Sequence, residues 1–301
     1  MLTDRFTKIC GSDEPLNDCF VIDGHCHVDE WAGMHAIERH IDGLLEVCDA
    51  VGIDRICVNY AAAPEMVAAN NRVAECVRRY PERVIGVCYV SYFEGGAEVQ
   101  TAELKRCFDE LGFRGMKIGN FHELYPQTPQ YFELDDPLQP AWEFAQERGS
   151  SILCHGILSH EIAERYPGAN FIAAHGSSVP AFCIELAELP NTYCDMSATT
   201  MTAGTIELLC EKMGAHRVLY GSDMPASDPG QRLGMVMAAQ ITEAQKEQIL
   251  GSNMQRLLDN VVWAIGDEGR CGAATNASQL RCGEERYLSP KRRRSTCLVS
   301  R

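Results

Sequence analysis

Two histidines separated by one residue, His25 and His27, end an apolar stretch that begins at Phe20. In a β-strand alternate side chains point to the same side, so the two imidazoles would project together while Cys26 points away. Such a pair can share one metal ion, although a buried histidine pair with ordinary hydrogen-bond partners has the same spacing. The spacing alone leaves both interpretations open.

Further polar residues end other apolar segments, namely Lys117, His155, His175 and Asp223. Zinc in catalytic sites takes nitrogen and oxygen ligands and keeps one position open for water, a requirement that three histidines and one carboxylate meet. Strand alternation turns Cys26 and Cys154 away from the neighbouring histidines, so we expect no sulfur ligand. Together with the histidine pair, the set predicts a metal site, with Lys117 as a further candidate member.

Eight apolar segments with strand character alternate with helical patterns from Phe20 to Leu258. The helical patterns include one from about His35 to Val51, with Gly52 as its stop signal, and one from Thr242 to Leu258. The predicted strands are Phe20–Val28, Arg55–Tyr60, Val84–Val90, Phe113–Gly119, Ser151–Gly156, Asn170–Gly176, Thr192–Ser197 and Arg217–Asp223. Eight strand-helix units are typical of a (β/α)8 barrel, and a doubly wound open sheet is the main alternative. We favour an α/β fold of the TIM-barrel type, because only a closed barrel brings the polar ends of strands one, four, five, six and eight around one mouth.

The barrel is predicted over residues 20–260, after an N-terminal extension over residues 1–19. Residues 261–301 are rich in glycine, alanine, serine and arginine, and their eight basic and four acidic residues give a net charge of +4. This composition predicts a flexible basic tail. Within the barrel, the long segment Asn120–Pro137 contains His122 and could wall a site or form an ordered surface excursion.

The net charge of −15 argues against nucleic acid or an anionic membrane as a partner. No apolar stretch approaches the roughly 20 residues that span a bilayer, and the first 19 residues lack the pattern of a signal peptide. We therefore expect a cytoplasmic protein.

The fifteen cysteines include no Cys-x-x-Cys pair and lie mostly in apolar runs, which predicts reduced, buried thiols rather than disulfides.

Taken together, the motifs resemble the amidohydrolase superfamily, specifically its amidohydrolase-related branch of metal-dependent hydrolases and decarboxylases. The matching segments are Asp23–His27, Gly115–Ile118, His155–Gly156, Ala174–Gly176, Tyr220–Pro225 and Ile249–Asn253. The resemblance covers about Phe20 to Leu258. It implies that His25, His27, His155 and Asp223 surround a single divalent metal, with zinc preferred over manganese and with His175 close to the bound water or the substrate oxygen.

The resemblance also implies a mechanism. The metal would lower the pKa of a bound water toward about 7 and polarise a carbonyl group. Asp223 would take the proton from the water and pass it to the leaving group, while His175 stabilises charge on the oxygen. In binuclear relatives a lysine at the position of Lys117 is carboxylated and bridges two metals. We favour one metal and a plain lysine that holds a substrate carboxylate.

We expect an enzyme acting on a small molecule rather than a catalytically idle metal-binding protein, because the ligand set is intact. The first prediction is hydrolysis of an ester, lactone or amide in a small carboxylated molecule. The alternative is non-oxidative decarboxylation of an aromatic or unsaturated acid, with Asp223 protonating the carbon as CO2 leaves. Lys117, His122 and Arg232 are the predicted substrate-binding residues. The sequence leaves the oligomeric state open, a homo-oligomer included.

Overall fold

Within the described part of the chain, eight parallel strands form one sheet in chain order. The strands are β1 (Ile22–Val28), β2 (Arg55–Tyr60), β3 (Val84–Val90), β4 (Gly115–Ile118), β5 (Ser151–Cys154), β6 (Asn170–Ala173), β7 (Thr192–Asp195) and β8 (Val218–Leu219). The computed structural model describes residues 4–10, 12, 14–28, 40–60, 65–91, 96–118, 138–155, 158, 160–197 and 202–262.

Backbone hydrogen bonds between β1 and the residues after β8 bring the two ends of the sheet together. The N–H of Gly24 donates to the carbonyl of Tyr220 at 3.0 Å, and the N–H of His27 donates to the carbonyl of Met224 at 2.7 Å. In the other direction, the N–H of Asp223 donates to the carbonyl of His25 at 2.8 Å. The predicted TIM barrel is confirmed. The hydrogen bonds that close it include the backbone groups of His25 and His27 themselves.

Helices alternate with the strands. Among the described residues they are α1 (Arg5–Cys10), α2 (Ile41–Val51), α3 (Met66–Arg79), α4 (Gly96–Lys105), α5 (Gln139–Arg148), α6 (His160–Arg165), α7 (Pro180–Leu186), α8 (Thr205–Met213), α9 (Pro229–Ala238), α10 (Glu243–Glu247) and α11 (Asn253–Asp259). A π-helical turn, Gln248–Ser252, joins α10 to α11, so the helix predicted over Thr242–Leu258 is present in three parts.

The strand predicted over Arg217–Asp223 is much shorter in the structure. β8 contains only Val218 and Leu219, because the N–H of Tyr220 donates to the carbonyl of Ile249 at 2.9 Å instead of to a neighbouring strand. The chain that follows forms backbone hydrogen bonds with β1, through the carbonyls of Tyr220 and Met224 and the N–H of Asp223. It can turn Asp223 toward the barrel mouth.

The strands separate two apolar clusters, one inside the barrel and one between the strands and the helices. The inner cluster contains alternate strand residues, such as Ile22, Leu153 and Leu219, together with Leu257 of α11. The outer cluster contains the intervening strand residues, such as Cys26, packed against the surrounding helices. Since α11 occupies the end of the barrel from which the strands start, the other end is left for polar side chains.

Helix α2 ends where the sequence places a stop signal. Gly52 has φ 96°, and its N–H donates to the carbonyl of Cys48. A Cβ atom at this position would lie 2.2 Å from the carbonyl oxygen of Leu16, so both the conformation and the space require glycine. The predicted beginning of this helix, residues 35–39, lies outside the described residues.

The N-terminal segment packs on the barrel. Phe6 of α1 is fully buried, and the buried Nζ of Lys246 donates to Asp4 Oδ2 at 2.7 Å and to the carbonyl of Met237 at 2.6 Å. Residues 4–10 thus form part of the packed unit that runs over Met1–Ala264. From residue 263 onward the predicted tail lies outside the described residues.

The cysteines match the prediction of reduced thiols. Twelve cysteines belong to the described residues; all twelve are free, and ten of them are buried. Burial raises the pKa of Cys57 and of Cys154 to about 12, which keeps these thiols protonated and unreactive. No helix in the described ranges is both long enough and apolar enough to cross a membrane.

Candidate active site

A β-bulge in β1 directs its two histidines into the barrel mouth. Asp23 pairs with Ile56 of β2 and Cys26 pairs with Val58, so β1 contains one more residue than β2 between these pairs. Strict alternation from Ile22, whose side chain lies in the inner cluster, would have turned Cys26 inward and the histidines outward. The additional residue reverses this, and Cys26 lies in the outer cluster as predicted.

The outer nitrogen of each β1 histidine has a hydrogen-bond acceptor. Nδ1 of His25 donates to Asp195 Oδ2 at 2.8 Å, and Nδ1 of His27 donates to Asn59 Oδ1 at 2.9 Å. The orientation of the Asn59 amide follows from its own donor, because Nδ2 donates to the carbonyl of Cys26 at 3.2 Å. In the neutral imidazoles the proton is therefore on Nδ1, and the Nε2 atoms carry lone pairs.

These two Nε2 atoms converge with one carboxylate oxygen. The Nε2 atoms of His25 and His27 are 3.1 Å apart, and Asp223 Oδ1 lies 3.0 Å from Nε2 of His27 and 3.5 Å from Nε2 of His25. The three residues are almost completely buried. In this tautomer all three atoms are acceptors, an arrangement that a bound cation stabilises. We refer to these atoms as the acceptor group.

A second cluster, formed by His25, His175 and Asp195, also has closely spaced ligand atoms. Here each acceptor faces a donor, because the carboxylate of Asp195 accepts from Nδ1 of His25, from the backbone of His175 and from Ser197. Hydrogen bonds therefore satisfy this cluster without a cation. The acceptor group fits a divalent metal better, and nitrogen with carboxylate oxygen is the donor set that zinc and manganese accept.

Asp195 and Ser197, at the end of β7, are site residues that the sequence analysis missed. The Ser197 hydroxyl donates to Asp195 Oδ1 and lies 2.9 Å from Nδ1 of His25 and 3.2 Å from Nδ1 of His175. A signal was present, since Asp195 is a carboxylate two residues after Tyr193, whose side chain is in the inner cluster. The criterion that selected the other strand ends would also have selected Asp195.

His175 and Asp223 have left-handed backbone conformations, with φ 59° and φ 62°. They are the two non-glycine residues with positive φ among the described residues, and such conformations concentrate at functional sites. Nδ1 of His175 donates to the carbonyl of Ser197, and its ring centroid lies 5.2 Å from that of His25. The structure thus brings the two predicted catalytic residues to the same mouth as the β1 histidines.

His155 lies beside His175 rather than within the acceptor group. The two ring centroids are 4.8 Å apart in an edge-to-face arrangement. Nδ1 of His155 is buried and has no hydrogen-bond partner among the residues that the structure describes. Burial and the positive charge of Lys117 lower the pKa of His155 to about 2, so the ring is neutral and able to donate a lone pair. Its predicted role as a metal ligand stays a prediction.

Of the three predicted substrate-binding residues, the structure describes Lys117 and Arg232. Lys117 is fully buried at the end of β4, and its charge contributes to the low pKa values of His25 and His155. Arg232 is buried in α9, where Nε donates to the hydroxyl of Ser227 at 3.0 Å. His122 lies outside the described residues.

Burial and the contacts within the site keep the potential ligands deprotonated. Burial lowers the pKa of His25 to about 4, although the charge of Asp195 opposes this shift. For Asp223 burial acts to raise the pKa, but its contacts with the imidazoles of His27 and His25 lower it well below the ordinary value. Neutral imidazoles and an ionised carboxylate are the forms that bind a metal.

Comparison with known proteins relates this geometry to a family. The amidohydrolase family profile matches residues 22–259, from the first residue of β1 to the last residue of α11. The γ-resorcylate decarboxylase of Rhodococcus jostii (strain RHA1) is 23% identical over 281 residues, covering 73% of this chain and 84% of the relative.

Solved structures with similar folds include two decarboxylases. The 2,6-dihydroxybenzoate decarboxylase from Rhizobium matches with a TM-score of 0.65 and 17% identity, over 81% of this chain and 99% of that chain. The 5-carboxyvanillate decarboxylase from Novosphingobium aromaticivorans, solved with bound manganese, matches with a TM-score of 0.63 and 14% identity, over 80% and 97%. The family profile spans most of the chain and all eight strands. The chain belongs to the amidohydrolase family.

Proposed function

We propose that the protein is a metal-dependent, non-oxidative decarboxylase of a small aromatic acid. The observation that carries this proposal is the acceptor group, in which His25, His27 and Asp223 converge in an amidohydrolase barrel. The metal could serve hydrolysis or decarboxylation, and hydrolysis was the first prediction from the sequence. The similar proteins named above are decarboxylases, and they favour the alternative.

His25, His27 and Asp223 would hold one divalent cation, with His155 as a fourth ligand. When bound, the cation would polarise a substrate oxygen by Lewis acidity. The choice between zinc and manganese is open to direct test, since the Novosphingobium enzyme was solved with manganese. Asp223 has a left-handed backbone conformation, and its carboxylate lies beside the Nε2 atoms of His25 and His27.

Lys117 and Arg232 would bind the substrate carboxylate. Lys117 is buried on the β4 side of the mouth, and its charge acts on both His25 and His155. Burial lowers the pKa of Arg232, while the charge of Asp223 opposes this shift, so the guanidinium group lies within electrostatic range of the site. Lys117 on β4 and Arg232 on α9 are two buried cations, and together they would attract an anionic acid and orient it.

Decarboxylation replaces the bond from the ring carbon to the carboxylate with a C–H bond. The electron pair of the broken bond stays on the ring carbon, CO2 departs, and one proton must be delivered to that carbon. Asp223 would take this proton from water onto its carboxylate and deliver it to the ring carbon, which leaves Asp223 ionised again. Nδ1 of His175 donates to the carbonyl of Ser197, which leaves Nε2 of His175 to face the substrate. With protons on both ring nitrogens, Nε2 would donate to the substrate oxygen and stabilise charge on it.

Hydrolysis of an ester, lactone or amide is the second candidate. The specific observation in its favour is the low pKa of Asp223, which keeps this carboxylate ionised and able to accept a proton from water. The same residues would then act on a carbonyl carbon. Because the ligand set serves both reactions, the distinction requires an assay.

The test is a comparison of products from the metal-loaded protein. The protein, freed of metal and reloaded with Mn2+ or Zn2+, is incubated with 2,6-dihydroxybenzoate and other hydroxybenzoates, and in parallel with a panel of lactones and esters. We expect metal-dependent CO2 release from at least one aromatic acid and no release by His27→Ala. Lactone or ester hydrolysis without CO2 release from any acid would contradict the proposal.

A further inference from the structure

Asp195, the last residue of β7, contacts two histidines of the site with its two carboxylate oxygens. Oδ2 accepts from Nδ1 of His25 at 2.8 Å, and Oδ1 accepts from the backbone N–H of His175 at 2.9 Å. Oδ1 also accepts from the N–H of Ser197 at 3.0 Å and from its hydroxyl group. The carboxylate is almost completely buried, and it connects β1, β6 and β7 at the barrel mouth.

The contact with His25 determines which ring nitrogen carries the proton. A carboxylate accepts but cannot donate, so it selects the tautomer with the proton on Nδ1 and the lone pair on Nε2. The negative charge of the carboxylate beside the outer nitrogen also makes the inner nitrogen a stronger ligand. Nε2 of His25 is the atom that faces His27 and Asp223.

Among the three candidate ligand histidines, His25 is the one with a carboxylate at its outer nitrogen, Nδ1, within the residues that the structure describes. His27 has the neutral amide of Asn59 in the equivalent position, and Nδ1 of His155 has no hydrogen-bond partner there. The carboxylate of Asp195 accepts from the His25 ring, from two backbone N–H groups and from the Ser197 hydroxyl group, all of which favour its ionised form. The site is therefore asymmetric, with its strongest support on His25.

His175 depends on the same carboxylate. Its left-handed backbone conformation, with φ 59°, is strained in a residue with a Cβ atom. Two hydrogen bonds hold His175 in place, one from its backbone N–H to Asp195 Oδ1 and one from its ring to the carbonyl of Ser197. Without the carboxylate, the backbone N–H would lose its acceptor.

We propose that Asp195 is a positioning residue of the active site. It fixes His25 in the tautomer that presents Nε2 to the cation, and it holds His175 in the conformation that places its ring beside that of His25. This inference rests on the proposed metal site. It does not depend on which reaction the site catalyses.

The primary test measures metal affinity in Asp195→Asn. The amide keeps the shape of the side chain and removes its charge, so we expect Zn2+ or Mn2+ to bind about 10- to 100-fold more weakly in competition with a chelator. The absorption spectrum of the Co2+-loaded variant should also differ from that of the wild type. A role in packing alone would leave this spectrum unchanged in folded protein.

Asp23→Asn is the matched control. Like Asp195, Asp23 is a buried carboxylate, and it lies on β1. Its Oδ1 accepts from the backbone N–H groups of His25 and Ser222 and does not contact the imidazole of His25. This variant should keep the wild-type metal affinity and the wild-type Co2+ spectrum. Equal losses in Asp23→Asn and Asp195→Asn would overturn the proposal, as would wild-type binding in Asp195→Asn.

A second measurement uses the metal-free wild-type protein and covers the case in which Asp195→Asn does not fold. Nitrogen NMR of 15N-histidine-labelled protein reports the tautomer of each ring, and the His25 signals are identified by their absence in His25→Asn. We expect a protonated Nδ1 and an unprotonated Nε2. The opposite tautomer would overturn the proposal whatever the outcome of the CO2 assay.

Discussion

Nε2 of His25 lies 3.1 Å from Nε2 of His27, and in the neutral rings both atoms are acceptors because each Nδ1 donates to a partner of its own. Two lone pairs at this distance, with Asp223 Oδ1 beside them, repel one another unless a positive charge lies between them. The relationship links the barrel geometry to metal chemistry. It depends on the bulge in β1, on Asn59 and on Asp195.

Replacement of individual histidines should separate ligand from catalytic roles. We expect His155→Ala to lose metal, because its neutral ring is the proposed fourth ligand. His175→Ala should keep the metal and lose turnover, because His175 lies outside the acceptor group and its proposed role is at the substrate oxygen. Elemental analysis of both purified variants measures this. Equal metal loss in the two would show that His175 is itself a ligand.

The metal-free protein should lose stability on mild acidification. The pKa of His25 is lowered to about 4 in the folded state, below its ordinary value of 6.5, so the unfolded state binds a proton that the folded state excludes. The contribution of this group is complete above pH 6.5 and falls as the pH decreases toward 4. At pH 5 the free energy of unfolding should be lower by about 2 kcal/mol from His25 alone.

Urea unfolding in the presence of a chelator, at about pH 7.5 and pH 5, checks this dependence. His25→Asn should show a shallower dependence on pH than the wild type. His160→Asn, which replaces an exposed histidine of α6, is the control and should behave as the wild type. Equal stability of the wild-type protein at both pH values would refute the assignment of a neutral, buried His25.

Gly221 should be sensitive to the smallest enlargement. An added Cβ atom would lie 3.0 Å from Cβ of His25 and 3.4 Å from Cβ of Asp195. Gly221→Ala should therefore lower the free energy of unfolding by about 1–3 kcal/mol and weaken metal binding. Gly234→Ala is the control, since its nearest contact would be 3.7 Å away and alanine favours a helix by about 1 kcal/mol. Equal effects of the two substitutions on metal binding would contradict this packing argument.

The N-terminal segment should contribute to stability through one buried ion pair. Lys246 is fully buried and donates to Asp4 Oδ2 at 2.7 Å, so Asp4→Ala would leave a buried charge without its anion. We expect a loss of about 3 kcal/mol in the free energy of unfolding. The exposed pair of Arg72 and Glu75 is the control, and Glu75→Ala should have little effect. A loss in Asp4→Ala no larger than that in Glu75→Ala would show that the pair is not needed.

Much of the fold follows from the sequence because hydrophobic runs and stop signals are local. The strands and the C-cap at Gly52 depend on neighbouring residues, and the polar strand ends follow once the barrel is assumed. Strand alternation also predicts that His25 and His27 share a side. What it does not predict is which side, since the bulge that turns them inward depends on pairing with β2.

The supporting contacts of the site could not be predicted in the same way. Asn59 and Asp195 are distant from β1 in sequence, and they meet its histidines only through the closure of the barrel. The left-handed conformations of His175 and Asp223 are equally hidden, because residue type alone does not specify positive φ outside glycine. These features arise from tertiary structure.

The most direct test is a crystal structure of the protein loaded with Mn2+ or Zn2+, with anomalous diffraction at the metal edge. The account predicts one strong anomalous peak at about 2.0–2.2 Å from Nε2 of His25, Nε2 of His27 and a carboxylate oxygen of Asp223. A peak coordinated instead by Asp195 and His175, or no peak at the barrel mouth in protein exposed to the metal, would contradict it.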